Sequence, residues 1–235
     1  MKILSVLLQI PTQVDNPLEL TATTISTEAQ LNIIDLALRG GWIMLVLLVL
    51  SLVATFVFIE RMMVIRQAGK RDESFMSRIK DYIYDGKVDS AMKLCQSTNS
   101  PTSRMISKGI SRLGRPTSDV LATIENAGNI EVSKLEKGFP IIATIAGGAP
   151  MIGFLGTVTG MIRSFYAMAN AGANVDVTML SGGIYEALVT TVGGLVVGII
   201  AMFAYNYLVS QVGNVVNKLE TGTMDFMDLL NEPSI

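Results

Sequence analysis

Three stretches of the chain lose the mixture of polar and apolar positions that marks a helix in water and become continuously apolar or small. The first, "WIMLVLLVLSLVATFVFI" at 42–59, holds no charge and is closed by Glu60 and Arg61. At about 1.5 Å per helical residue it is long enough to cross a hydrocarbon core roughly 30 Å thick, which predicts a transmembrane helix over 42–60. The second, "FPIIATIAGGAPMIGFLGTVTGMI", continues past Arg163 and predicts a span over 139–168. The third surrounds "GGIYEALVTTVGGL" and predicts a span over 177–209. Leu, Val and Ile dominate the first behind a single Trp, which suits lipid contact. The other two are rich in Gly, Ala, Ser and Thr, which let helix backbones approach closely.

Between the first two spans the apolar positions return to a helical period. "DESFMSRIKDYIYDG" predicts a helix ending at Gly86, and "KVDSAMKLCQS" places Val88, Ala91, Met92 and Cys95 on one face. Pro101 opens a third helix, and Ser118 or Asp119 is expected to cap a fourth that leads to Pro140. No strand-like alternation occurs there. Ahead of the first span, "AQLNIIDLALRGG" sets Leu31, Ile34 and Leu38 near one face, so residues 1–41 read as an external tail with an amphipathic interfacial helix. The opening "MKILSVLLQI" lacks a small-residue cleavage site behind it and is expected to stay uncleaved.

Charge orients this plan. Lys and Arg number two before the first span, fourteen between 60 and 138, one at Arg163 and one at Lys218. The positive-inside bias makes 61–138 a cytoplasmic helical region, puts the N-terminus outside, the 169–176 loop on the outer, periplasmic side and the 210–235 tail inside. The chain is half apolar and only 16% charged, with no histidine and one cysteine. That composition excludes an internal disulfide and a His/Cys metal centre, and offers neither the basic surface of a nucleic-acid binder nor a nucleophile–base pair. No cofactor and no enzymatic activity are expected. Cys95 is expected to be a small buried residue.

The small residues of the last two spans form stripes. Ala146, Ala149, Gly153, Gly156, Thr157, Gly160 and Ser164 share one helical face, and Ala187, Thr191, Gly194, Gly198 and Ala201 another, with Glu186, Thr190 and Gly193 at its edge. Helix packing accounts for the glycines. It does not account for Glu186, an acid within an apolar run, or for threonines in the same stripes. Antiparallel helices would bring Thr157 and Thr191 to one level, with Glu186 a little over a turn further out. A carboxyl group reached from outside, above hydroxyls that hold water or relay hydrogen bonds, is a plausible proton path. A neutral interhelical hydrogen bond at Glu186 in a passive scaffold is the other reading of the same residues. Arg163, near the outer end of its span, is expected to snorkel to the interface.

The stretches "GGWIM…FIER", "APMIGFLGTVTGMIRSF" and "GGIYEALVTTVGGLVVGIIAMFAYN", with "DGKVDSAMKLCQSTNSPTSRMISKGI" between the first two, resemble the MotA/TolQ/ExbB proton-channel family over residues 31–215, and within it the ExbB branch. The resemblance implies an all-α membrane protein of three transmembrane helices assembled as a homopentamer. The second and third helices would line a pore around an ExbD-like or TolR-like dimer. It further implies proton flow that energises a TonB-like protein in an inner membrane. By position, Glu186 matches the pore glutamate of the family, and Thr157 and Thr191 its two threonines; the resemblance puts the proton-bearing aspartate on the partner chain, so Glu186 could orient the partner or tune the field of the pore instead of carrying the proton. Thr190 stands where relatives often carry alanine and is a possible helper. The output could instead be TolQ-like or motility work, and the ion could be sodium.

Overall fold

A computed structural model describes residues 40–69, 73–171 and 177–231 as seven helices. They are α1 (Gly41–Ala68), α2 (Glu73–Tyr84), α3 (Val88–Ser97), α4 (Pro101–Ile110), α5 (Thr117–Leu135), α6 (Phe139–Ala171) and α7 (Val177–Asn231). Among the described residues there is no strand. The expected amphipathic helix of the N-terminal tail and most of the expected outer loop, 172–176, lie outside them.

Among the described residues, α1, α6 and α7 are the three helices long and apolar enough to span a membrane, each holding an 18-residue stretch of high mean hydropathy, 2.9, 1.8 and 2.3. Each leaves large apolar side chains uncovered, among them Leu45, Leu52 and Phe56 on α1, Phe154 and Phe165 on α6, and Ile199 and Phe203 on α7. Surfaces of this size are costly in water and ordinary against lipid or another apolar helix, and the chain is a multi-pass membrane protein.

Helix α6 pairs with α7, and α1 lies across both. The stripe Ile43, Leu47, Ala54 and Val57 of α1 is buried, and Gly193 lets α7 approach Met44 and Leu47. Further in, the Phe58 and Tyr207 rings meet at 6.4 Å.

Two of the helices run beyond the expected spans. Past the expected span end at 60, α1 continues to Ala68, burying Met62 and Ile65. Past the expected span end at 209, α7 runs unbroken to Asn231, 55 residues or about 82 Å. Its inner half buries Leu208, Val212, Val215, Leu219 and Phe226, a spacing of three, four and seven that keeps one side of the helix apolar. The helices between the spans pack onto that side with Ile79, Met105, Ile106, Val120 and Ile124 in the core. Cys95 is buried as expected, and burial pushes its thiol up to about 11.

Local chemistry explains the helix starts. Ser100 Oγ accepts from the Ser103 N–H at 3.1 Å while Ser103 Oγ accepts from the Ser100 N–H at 3.3 Å, a reciprocal cap in front of Pro101. Ser118 and Asp119 do not cap α5. The extended conformation at Pro116 starts the helix at Thr117 and puts both residues in the first turn, where Asp119 sits 3.4 Å from Arg115. Between α5 and α6, Gly138 has φ +93, a left-handed turn that suits glycine, and Pro140 follows as the second residue of α6.

Among the described residues of the bundle formed by α2–α5 on α7, one acid is buried. Glu131, 6% exposed, accepts from Arg104 Nε at 2.9 Å and Lys134 Nζ at 2.7 Å. Burial pushes its carboxyl up, but the hydrogen bonds and charges of Arg104 and Lys134 outweigh this and leave it below the usual glutamate value.

Candidate functional site at the α6–α7 seam

The two spans meet through their glycines. A methyl group added at Gly194 would lie 2.6 Å from the Ala149 carbonyl oxygen and 2.9 Å from the Gly153 Cα; one at Gly153 would lie 2.9 Å from the Thr190 carbonyl oxygen. At Gly160 it would lie 2.9 Å from Ala187 Cβ, and at Gly198 2.5 Å from Pro150 Cγ. Gly156 faces the Thr190 side chain. All five glycines assigned to pore-helix packing from sequence therefore sit where backbone meets backbone or a neighbouring side chain leaves no room, and the order of the pairs, 153 with 194 and 160 with 187, is antiparallel. Gly183 extends the seam outward against Ser164. Its signal was present, four residues before Ala187 on the same stripe.

This close approach brings the two expected threonines together. Thr191 Oγ1 donates to the Gly153 carbonyl oxygen across the seam at 3.1 Å and lies 3.5 Å from Thr157 Oγ1. Thr157 Oγ1 donates to the Phe154 carbonyl oxygen of its own helix at 2.6 Å. The 3.5 Å separation is long for a hydroxyl–hydroxyl hydrogen bond, so each proton is committed to a carbonyl while oxygen lone pairs remain side by side. Such a pair can accept from a water or a protonated group placed above it.

Thr190 is in a different place. It is 1% exposed, its hydroxyl donates to the Ala187 carbonyl oxygen at 2.7 Å, and its side chain fills the space over Gly156. It belongs to the packing of the seam, not to the Thr157–Thr191 pair.

Glu186 lies five residues before Thr191, about 7.5 Å further along α7. Its carboxylate is not alone. Arg163 Nη1 of α6 lies 3.4 Å from Glu186 Oε1, and that oxygen also approaches α1, where a Cβ on Gly41 would be 2.6 Å away. Arg163, expected to snorkel, is 63% exposed but turned to the acid on the neighbouring helix. Sequence reasoning treated the two charges separately because they are 23 residues apart. The available signal was that α6 carries no other charged residue, and α7 none besides Glu186 before Lys218. Among the described residues no group of His, Cys, Asp and Glu could hold a metal ion.

Comparison with known proteins gives this arrangement a family. The chain is 26% identical over 189 residues to an ExbB homologue of Methanothermobacter thermautotrophicus, covering 80% of this chain and 67% of that protein. To an ExbB-like biopolymer transport protein of Synechocystis it is 28% identical over 198 residues, covering 83% and 75%. To the Tol-Pal system protein TolQ of Haemophilus influenzae it is 29% identical over 218 residues, covering 85% and 92%. A family model matches residues 97–221, more than half of the chain, with all of α6 and α7 up to residue 221, so this chain belongs to the MotA/TolQ/ExbB proton channel family.

Proposed function

We propose that this chain is the ExbB-like subunit of an inner-membrane, proton-driven motor, and that it acts by moving ions and not by catalysing a reaction. In this reading several copies, five by family likeness, gather around the helices of an ExbD-like or TolR-like dimer, and proton entry from the outer side drives motion passed to a TonB-like protein. The N-terminus is outside and the helical region 61–138 inside, in keeping with its fourteen basic residues.

The observation that carries the reading is the vertical order of the seam: the Glu186 carboxylate at the outer end, and the Thr157 and Thr191 oxygens 3.5 Å apart about a turn and a half below. An acid at the mouth and hydroxyls beneath it are the groups a proton path requires where few polar side chains are otherwise present. One proton crossing about 100 mV releases about 2.3 kcal/mol, so a few protons suffice for a conformational step. A TolQ-like output draws support from the Haemophilus relative, whose length the match covers to 92%. The two outputs share the same site and differ in partner.

The test is ion flux in liposomes holding the complex purified through this chain, under imposed pH and sodium gradients. Glu186→Gln is expected to lose proton flux while the complex stays assembled. Flux equal to wild type would refute the role of Glu186, and assembly without any gradient-dependent flux or motion in either would favour a scaffold.

A further inference from the structure

The site has a third wall that the proton path does not require. Glu186 Oε1 faces Arg163 on α6 at 3.4 Å and the first residue of α1 on its other side. Gly41 has φ +62, a left-handed conformation that suits glycine, and a Cβ there would fall 2.6 Å from the carboxylate oxygen. The approach is therefore open only while residue 41 lacks a side chain. Arg163 is the single charged residue of α6, and α1 carries none from Gly41 to Ile59, so the guanidinium is the one cation that these described neighbours turn toward Glu186. Two lone charges on adjacent apolar helices have met, and the carboxylate of the pair packs against the first residue of α1.

We propose that Arg163 is a positioning residue for Glu186: it holds the carboxylate in the space that Gly41 leaves open at the start of α1, at a fixed height above the Thr157–Thr191 pair. This rests on the reading of Glu186 as part of an ion path and adds what places it there. The contact is a single approach of Nη1 to Oε1 at 3.4 Å, so it rests on charge, which lysine keeps and glutamine removes. Motion of α1 relative to the hairpin would then move the carboxylate relative to the hydroxyls below it, which gives the lipid-facing helix a mechanical connection to the ion path.

The experiment joins a spectroscopic reading to flux in the intact complex. The carboxylate infrared band of Glu186 is identified as the band missing in Glu186→Gln. Arg163→Gln is expected to shift and broaden that band and to lower proton flux toward the Glu186→Gln level, and Arg163→Lys to restore much of both. Gly41→Ala is expected to displace the band as Arg163→Gln does, whereas Gly40→Ala, whose added methyl meets Met44 at 3.2 Å and not the carboxylate, leaves it in place. An unshifted band in Arg163→Gln would overturn the proposal, as would a shifted band with wild-type flux. If Glu186→Gln itself keeps full flux, the functional reading fails instead, and the band alone then reports whether Arg163 holds the carboxylate.

Discussion

The hairpin of α6 and α7 and the bundle around the inner half of α7 both place glycines at helix contacts, but the neighbours of those glycines differ. In the hairpin Gly194 faces the backbone of α6, namely the Ala149 carbonyl oxygen and the Gly153 Cα. In the bundle Gly128 faces the sulfur of Met105, and Gly109 faces the end of Ile124. Backbone cannot yield without separating two helices, whereas a methionine changes rotamer. The hairpin is thus a fixed spacing set by missing side chains, and the bundle is an ordinary core filled by large ones such as Phe226, Ile124 and Met105. A fixed spacing is what a pair of hydroxyls 3.5 Å apart across a seam needs.

That contrast can be broken from either side. The largest effect is expected in the bundle core: Phe226→Ala removes a fully buried ring and should cost about 3–5 kcal/mol, read as a lower unfolding temperature of the detergent-solubilised protein. Gly194→Ala comes next, at about 1–3 kcal/mol or more from overpacking, and should also part Thr157 from Thr191, so that flux falls further than stability alone explains.

The bundle should respond to acid through Glu131. Its carboxyl lies below its ordinary value in the folded chain, so its contribution is present above the usual glutamate range near about 4.3 and is lost as the pH falls through the folded value. Unfolding followed down the pH scale should show a component that Glu131→Gln lacks. The smallest effect is expected at Gly128→Ala. The added methyl meets only Met105 sulfur at 3.1 Å, and the gain in helix propensity is about 1 kcal/mol, so stability should stay within about that amount of wild type. A loss at Gly128 as large as at Gly194 would erase the distinction between the two regions.

The three spans, the small-residue stripes and the partnership of Thr157 with Thr191 were legible in the sequence, because period and composition report which side of a helix can come close to another. Helix ends were less so. Nothing in the apolar pattern shows that α7 continues through 209, since its inner half simply exchanges one neighbour for another while keeping its buried side. Thr190 and Thr191 are adjacent and chemically identical, and only the crossing of the helices sends the first into the seam over Gly156 and the second to Thr157. The contact of Glu186 with Arg163 and Gly41 joins three helices, and a periodicity argument made one helix at a time cannot reach it.

The most direct measurement is proton flux through the assembled complex in liposomes, with Thr157→Val and Thr191→Val compared with wild type under one pH gradient. Each exchange keeps shape and removes one hydroxyl of the pair. The expected result is loss of flux in both variants with the complex intact; wild-type flux in both would contradict a path that runs from Glu186 to these two residues.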